Sequence, residues 1–447
     1  MHINIAKVNF KSIGINIAKV DFGRAVVGNI DYQNEYLTLS ALEDGEITIT
    51  IPSQINSTYA TSLSYSKDKS SWVETIVDDT DQTITIPISS GEDVYLKGEA
   101  KQWSTNDFSS NISSDCNIIA SGNTMSLLYG DDFKDKTVFQ AGVGYIFYGL
   151  FKDNTHLINA ENLILPATEP VNYCYYNMFF GCSSLTTAPE LPATILATYC
   201  YCNMFFGCSS LTTAPTLPAT ELAPGCYGQM FLQCTSLKIA PALPATTLKA
   251  QCCYRMFSGC SSLTTAPELP ATKLDDRCYY EMFYNCSSLK TAPALPATTL
   301  ASKCYSGMFS GCTSLTTAPE LPATTLAQSC YDDMFYDCKS LTTAPELPAT
   351  TLAQSCYSYM FQNCTSLTTA PELPATTLAS YCYSSMFNGC TKLNNITMLA
   401  TDISASGCLN NWVNGVASTG TFTKAASMTS LSTGASGIPS GWTVVDK

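Results

Sequence analysis

The sequence predicts a repeat solenoid of short parallel strands and short helices with a 26-residue period, preceded by a small all-β sandwich. Two observations carry this. The pair Met-Phe recurs every 26 residues at Met178, Met204, Met230, Met256, Met282, Met308, Met334, Met360 and Met386, inside a unit that reads C-Y-x-x-M-F-x-G-C-[ST]-S-L-T-T-A-P-E-L-P-A-T-T-L-A-x-x. Self-similarity at such a period marks a chain whose turns bury a shared core only by stacking on one another. Ahead of the repeats, runs that alternate apolar and polar residues are separated by turn residues, the pattern of half-buried strands.

Five segments follow along the chain. Residues 1–34 form an N-terminal β arm, because residues 3–10 (INIAKVNF) return as 15–22 (INIAKVDF) with apolar residues alternating. Met1 to Phe22 lack the continuous apolar block of a secretory signal. The expectation is a signal already removed, or exit from the cell by another route such as a virus particle. Residues 35–103 form an immunoglobulin-like or fibronectin-like β domain, with Ile47, Ile49 and Ile51, Leu63 and Tyr65, Ile84, Ile86 and Ile88, and Val94 and Leu96 alternating between turns such as Glu43-Asp44-Gly45. Residues 104–148 form a linker and solenoid N-cap, residues 149–413 the repeats, and residues 414–447 a C-terminal cap that starts after Trp412-Val413 replaces Met-Phe. Terminal repeats are expected to be irregular, since each has one face without a neighbour.

Within the unit Cys304 to Cys330, Cys304, Met308 and Cys312 lie at i, i+4 and i+8, and Tyr305 and Phe309 beside them. That spacing predicts an apolar stripe on a short helix, ended by a turn at Gly311. Leu315, Ala318, Leu321 and Leu326 then point inward from an extended segment, where Pro319 and Pro322 remove ladder donors and keep the sheet narrow. Strands stack about 4.8 Å apart and helices about 8–10 Å, which predicts curvature with strands on the concave side. Nine regular turns give a sheet on the order of 40 Å long.

Ten of the 22 cysteines occupy the first position of the repeat, Cys174 to Cys408, and nine the position eight residues on, Cys182 to Cys390. Three readings stand: two ladders of small buried apolar side chains, disulfides in part of the array, or metal binding. A disulfide within a helix is excluded, because eight helical residues span about 12 Å. Metal has little to work with, since no C-x-x-C occurs and only His2 and His156 supply imidazole.

A net charge of −14 argues against a nucleic-acid partner, whose affinity rests on Lys and Arg clusters. No stretch approaches 18 continuous apolar residues, so membrane insertion is not expected. Catalysis is not expected either. A Cys-His nucleophile would need His156 with Cys174 or Cys182. The glutamates of the repeats are repeat-phased and form no unique convergent pair. Asp131, Asp132 and Asp135 are the candidate calcium ligands, with a solvated acidic loop as the plainer reading. No cofactor is expected.

The order Cys312, Leu315, Leu321-Pro322, Leu326, Met334-Phe335 resembles the BspA-like leucine-rich repeat family over roughly Leu150 to Val413. Two departures are an extra residue between Ala318 and Leu321, and Met in place of the family's usual Ala before Phe. The resemblance implies a leucine-rich-repeat-like solenoid and an adhesive, cell-surface role toward host proteins or other cells. Similar arrays occur in phages of gut bacteria, and a β arm, a sandwich and a terminal array resemble a phage tail-fibre or receptor-binding arrangement. The expected function is therefore non-catalytic recognition of a cell-surface glycan or protein, as a virion component. A bacterial adhesin and a structural virion or scaffold subunit are the alternatives. Residues 1–34 would join other virion or surface subunits, and a homo-oligomer is one such assembly.

Comparison of repeats within the chain locates the candidate binding residues, because positions that vary are released from packing. Near the expected helix start and its outer side these are Tyr176, Tyr199, Phe206, Arg255, Arg277, Tyr280, Tyr284, Tyr336, Tyr359 and Tyr381. Tyrosine supplies contact area at low entropy cost, although cover for the solenoid edge is an equal use for it. On the expected concave side Glu268, Glu320, Glu346 and Glu372 continue an acidic row begun by Glu190 and broken by Thr216, Ala242 and Ala294. This row would suit a basic or hydroxyl-rich partner, or serve solubility alone.

Overall fold

The computed structural model describes residues 31–105, 107–140 and 143–447, so nearly all of the expected β arm lies outside the described residues. The first domain holds β1 (Leu37–Ala41), β2 (Gly45–Ile51), β3 (Ala60–Ser66), β4 (Val73–Ile76), β5 (Gln82–Ile88), β6 (Asp93–Ala100), β7 (Asn111–Ser114) and β8 (Ile118–Asn123). Sequence alternation becomes alternating burial: Ile47, Ile49 and Ile51 are buried while Glu46 and Thr50 face out. One antiparallel sheet runs β5-β2-β7, and the other places β4, β3, β6, β1 and β8 side by side. Their inner faces meet where Ile49, Ile51 and Ile112 oppose Leu63, Leu96, Trp103 and Leu127 around a void of about 10 Å³.

β7 and β8 fall in residues 104–148, expected as linker and cap. β8 is antiparallel to β1 on one side (Leu39 opposite Ala120). On its other side it runs parallel to β9 (Leu157–Asn159) and β10 (Leu163–Ile164), the first rungs of the solenoid. One strand therefore belongs to both parts, and its backbone accepts and donates across the joint: Ile118 N donates to His156 O at 2.9 Å and Gly122 N to Asn162 O at 3.0 Å. Gly122 has a φ of +78°, and a Cβ there would stand 1.9 Å from Tyr36 O. Only glycine lets β8 approach the chain entering β1 this closely. Trp103 is buried at the same joint and donates from Nε1 to Leu127 O at 2.8 Å.

The expected repeat helices are not formed. Among the described residues the only α-helix is the four-residue Ser126–Tyr129, and the Cys-to-Cys runs are chains of overlapping turns. In residues 173–182 alternate N–H groups do two jobs. Cys174, Tyr176, Met178, Phe180 and Cys182 donate three residues back, while Tyr173, Tyr175, Asn177, Phe179 and Gly181 donate to Thr198, Cys200, Cys202, Met204 and Phe206 of the next repeat. Every fourth residue of the run, Tyr173, Asn177 and Gly181, has positive φ, as the third residue of a type II turn requires. The turn chain repeats every four residues, so Cys, Met and Cys at i, i+4 and i+8 share a face as they would on a helix.

Because neighbouring runs are hydrogen-bonded, equivalents stand closer than packed helices. The buried Phe column from Phe151 to Phe387 stacks at 5.4–5.8 Å. The expected mismatch of about 4 Å with the strand side therefore shrinks to under about 1 Å per repeat, and with it the main source of the expected curvature. A parallel Tyr column at 5.7–6.2 Å is interrupted at Cys253.

The sheet side is as narrow as the prolines require. From Thr187 to Thr343 neighbouring repeats share isolated bridges such as Thr187 with Thr213 and Thr291 with Thr317. Only at the C-terminal end do β11 (Thr369–Leu373), β12 (Asn395–Met398), β13 (Thr421–Lys424) and β14 (Thr443–Asp446) form a four-stranded parallel sheet, where β12 and its successors contain no proline. Trp412 closes the ring columns, stacked on Tyr383 at 6.5 Å, with its Nε1 donating to Gly437 O.

Candidate recognition surface

All 22 cysteines are buried and unpaired in the structure. The two columns differ. Cys208, Cys234, Cys260, Cys286, Cys312, Cys338, Cys364 and Cys390 each direct Sγ at the carbonyl of a phenylalanine in the preceding repeat, at 2.9–3.2 Å. That carbonyl already accepts a turn hydrogen bond, as Phe179 O does from Cys182 N. The thiol fills its second lone pair with a small, mostly apolar donor. Cys304 and Cys330, in the first column, direct no such bond among the described residues, and burial pushes the Cys330 thiol up to about 12. The distance argument against bridges rested on helices that are absent; the thiols are nevertheless free.

The positions that vary between repeats coincide with the bends. Tyr199, Arg255, Arg277, Tyr359 and Tyr381 all have positive φ, and their side chains leave the turn run where backbone geometry, not core packing, sets the residue. Glycine, asparagine, aspartate and glutamine recur at these places, the sequence signal by which a turn chain could have been told from a helix. Tyr176, Phe206, Tyr280 and Tyr336 are half-buried beside them, and Tyr284, Tyr359 and Tyr381 are exposed. The glutamates 268, 320, 346 and 372 stand exposed in the Leu-Pro segment, a different part of each repeat from the tyrosines. Glu372 pairs with Lys447 at 2.5 Å.

Part of the tyrosine set fills gaps. A Cβ on Gly225 would meet the Tyr199 ring at 2.1 Å, on Gly228 the Tyr254 ring at 2.2 Å, and on Gly407 the Tyr381 ring at 2.4 Å. Each ring lies over a neighbouring repeat's glycine. Tyr199 reaches on to Gln251 Oε1 at 3.0 Å. Arg255 is engaged too, donating from Nε to Glu281 at 2.7 Å.

Where the solenoid begins, the aromatic residues gather. Tyr145 stacks on Tyr173 at 4.6 Å and Tyr148 on Tyr176 at 5.2 Å; Tyr145 meets Tyr148, and Tyr173 meets Tyr176, at 5.9 Å. Tyr199 continues one column at 5.2 Å, and Phe180 and Phe206 stack alongside at 4.5 Å. Asn177 and Asn203 donate from Nδ2 to the hydroxyls of Tyr148 and Tyr176. Tyr145, Tyr148 and Tyr173 were not among the sequence candidates: two inserted residues hide the register of Tyr145 and Tyr148, while Tyr173 stands in register with Tyr199. The shared Tyr-x-x-Tyr spacing, offset by 28 residues, is the signal that exposes them.

Farther along, Asp332 and Asp333 are largely buried. Desolvation first and the neighbouring Asp333 carboxylate second push Asp332 up to about 7; desolvation and then Glu281 push Asp333 up to about 6. Asp332 Oδ1 has no hydrogen-bond partner. Asp131, a candidate calcium ligand, is already engaged by Tyr36 Oη at 2.7 Å and Lys97 Nζ at 2.9 Å. His156 is half-exposed at the joint, while burial raises the thiols of Cys174 and Cys182 far above the ordinary range and disfavours a thiolate there. Among the described residues no helix is long and apolar enough to cross a membrane.

Residues 226–342 and 279–411 match the family model described as the BspA type leucine rich repeat region, in six copies. No curated protein matches the chain. A crystal structure of a leucine-rich repeat protein from Eubacterium ventriosum is similar at 12% sequence identity with a TM-score of 0.31, covering 68% of this chain and 92% of that one. Over residues 226–411 the repeats match the BspA leucine-rich type, in agreement with the resemblance drawn from the repeat unit.

Proposed function

We propose that this BspA-type repeat protein is a non-catalytic recognition protein, binding a cell-surface ligand through the turn side of its solenoid. The observation that carries the reading is the separation of core from bends. Met, Phe, Tyr, Cys and Leu recur on each turn and are buried, while the bend positions change from repeat to repeat without disturbing the stack. Such a surface can alter its chemistry while the fold stays fixed. The two-sheet domain, which we read as an immunoglobulin-like or fibronectin-like spacer, is joined to the array through β8 and sets its direction.

The finer assignment is a phage tail-associated receptor-binding component. The order of sheet domain and repeat array supports it, with attachment through residues 1–34. A bacterial surface adhesin is the second reading, supported by the usual cell-surface place of BspA-type repeats. The test is twofold. Fluorescent full-length chain is expected to bind intact cells of a susceptible strain; no binding to any strain of a broad panel would overturn recognition. Antibody labelling is expected to find the chain in purified particles, and finding it only on the cell envelope would transfer the assignment to the adhesin.

A further inference from the structure

We infer that the tyrosine cluster at the start of the solenoid, Tyr145, Tyr148, Tyr173 and Tyr176, is a binding site for a neutral, hydroxyl-rich chain, an extended glycan running along the solenoid axis. The inference rests on the recognition reading above and names its ligand class and place.

Packing does not require aromatics here. At the register position of Tyr173 later repeats carry Gln251, Lys303 or Ser329, and at that of Tyr176 they carry Ser306, Asp332 or Ser358, over the same buried core. Nor do these four rings cover a glycine in the way Tyr199, Tyr254 and Tyr381 do. What the four share is mutual contact on every side of a square, with both columns stacked nearly parallel, at 6° and 8°. Rings stacked this way hide their faces from solvent. The Tyr176 hydroxyl is taken by Asn203 Nδ2 at 3.1 Å, and the hydroxyls of Tyr145, Tyr148 and Tyr173 are left as the cluster's polar groups, which favours hydrogen bonding over apolar contact. The Tyr145 and Tyr173 hydroxyls donate to no acceptor among the described residues. That of Tyr148 accepts from Asn177 at 3.3 Å and keeps its own proton to give.

Charge narrows the ligand. Between Lys152 and Lys238 the sequence contains no lysine or arginine, and Lys152 itself is held over the Phe180 ring at 5.5 Å from its centroid, so the cluster has little cationic charge to offer an anionic polymer. Period narrows it further. The columns advance 4.6 and 5.2 Å per turn, comparable to the advance of a single sugar in an extended β-linked pyranose chain. Tyr199, next in the column, prolongs it to a third rank. Each added rank supplies the same contact again, so longer oligosaccharides bind more tightly.

The test uses the full chain, titrated calorimetrically with cello-, chito- and manno-oligosaccharides of two to six sugars, and with heparin. Binding of at least one neutral series, rising with length, is expected. The triple variant Tyr145→Phe, Tyr148→Phe, Tyr173→Phe keeps the stacked rings and is expected to lose tenfold or more in affinity, whereas Tyr65→Phe, in β3 of the sheet domain, leaves it unchanged. Retained affinity in the triple variant, equal loss in Tyr65→Phe, or binding to heparin alone would overturn the site. Failure of every oligosaccharide while the chain still binds cells would sink the glycan inference and leave recognition standing. Failure of both would remove both.

Discussion

The turn run and the Leu-Pro segment of one repeat hold the solenoid together by different means. In the turn run from 173 to 182 every backbone N–H is bonded, half of them to the next repeat. In the Leu-Pro segment the prolines withhold donors, neighbouring repeats touch through single bridges, and adhesion comes from buried Leu191, Ala193 and their equivalents. Backbone bonding therefore adds to side-chain burial on the turn side, where the displayed residues vary, whereas the Leu-Pro side depends on side-chain burial with little backbone bonding between repeats. Variation is tolerated because the bonds that bind turn to turn do not depend on the side chains displayed there.

The contrast is sharpened most by removing a ring. Phe309 lies between Phe283 and Phe335 at 5.7 and 5.8 Å, fully buried. Phe309→Ala is expected to cost about 3–5 kcal/mol, while Pro322→Ala, exposed and without a donor to lose, is expected to stay within about 1 kcal/mol. Similar losses in urea unfolding would erase the distinction between the two sides.

The cysteine columns offer the next test. Cys312→Ser leaves a donor facing Phe283 O, 3.2 Å from the present sulfur, whereas Cys304→Ser buries a hydroxyl without that acceptor, at about 1–3 kcal/mol. The expected order of melting temperatures is wild type, then Cys312→Ser, then Cys304→Ser. A reversed order would remove the role given to the second-column thiol. In the same preparation all 22 thiols are expected to titrate after denaturation without reductant, and a markedly smaller number would reveal bridges.

At the bends, Gly311 has a φ of +75° with Asn285 Oδ1 against it. Gly311→Ala is expected to cost about 1–2 kcal/mol and Gly311→Asn less, since asparagine tolerates that conformation and occupies it at Asn363. Equal losses would argue against a backbone origin.

A further effect is a pH dependence. Asp332 is held near 7 in the fold, against the usual carboxylate value in the unfolded chain. Below pH 4 both states carry the proton. As pH rises from about 4 to about 7 the unfolded chain releases it first, so stability falls across that window and levels off above it. Asp332→Ser, the residue at this place in the flanking repeats, is expected to flatten that part of the stability profile. An unchanged slope would place the pH dependence elsewhere, with Asp333 next to be tested.

Much of this was legible beforehand. The period, the inward set of Cys, Tyr, Met, Phe and Leu, the narrowing by Pro319 and Pro322 and the irregular ends all follow from repetition and from what each residue withholds or buries. The helix was misread because i, i+4, i+8 spacing fits a chain of four-residue turns equally well; recurrent Gly, Asn and Asp at 181, 285 and 337 carried the distinguishing signal. The tyrosine square was only half visible, since Tyr145 and Tyr148 stand in a turn whose insertion hides its register.

What the sequence by itself determined is which side chains are buried and how often, because hydrophobic burial depends on composition and spacing that any single repeat already contains. What only the tertiary structure decided is the path of the backbone between the cysteines and the fusion of the two parts at β8. Alternate N–H groups of a turn run find their acceptors in the following repeat, so no isolated repeat holds the partners that make the turn chain preferable to a helix. The same is true of β8, which becomes a shared strand only when β1 and the first solenoid rungs approach it from opposite sides.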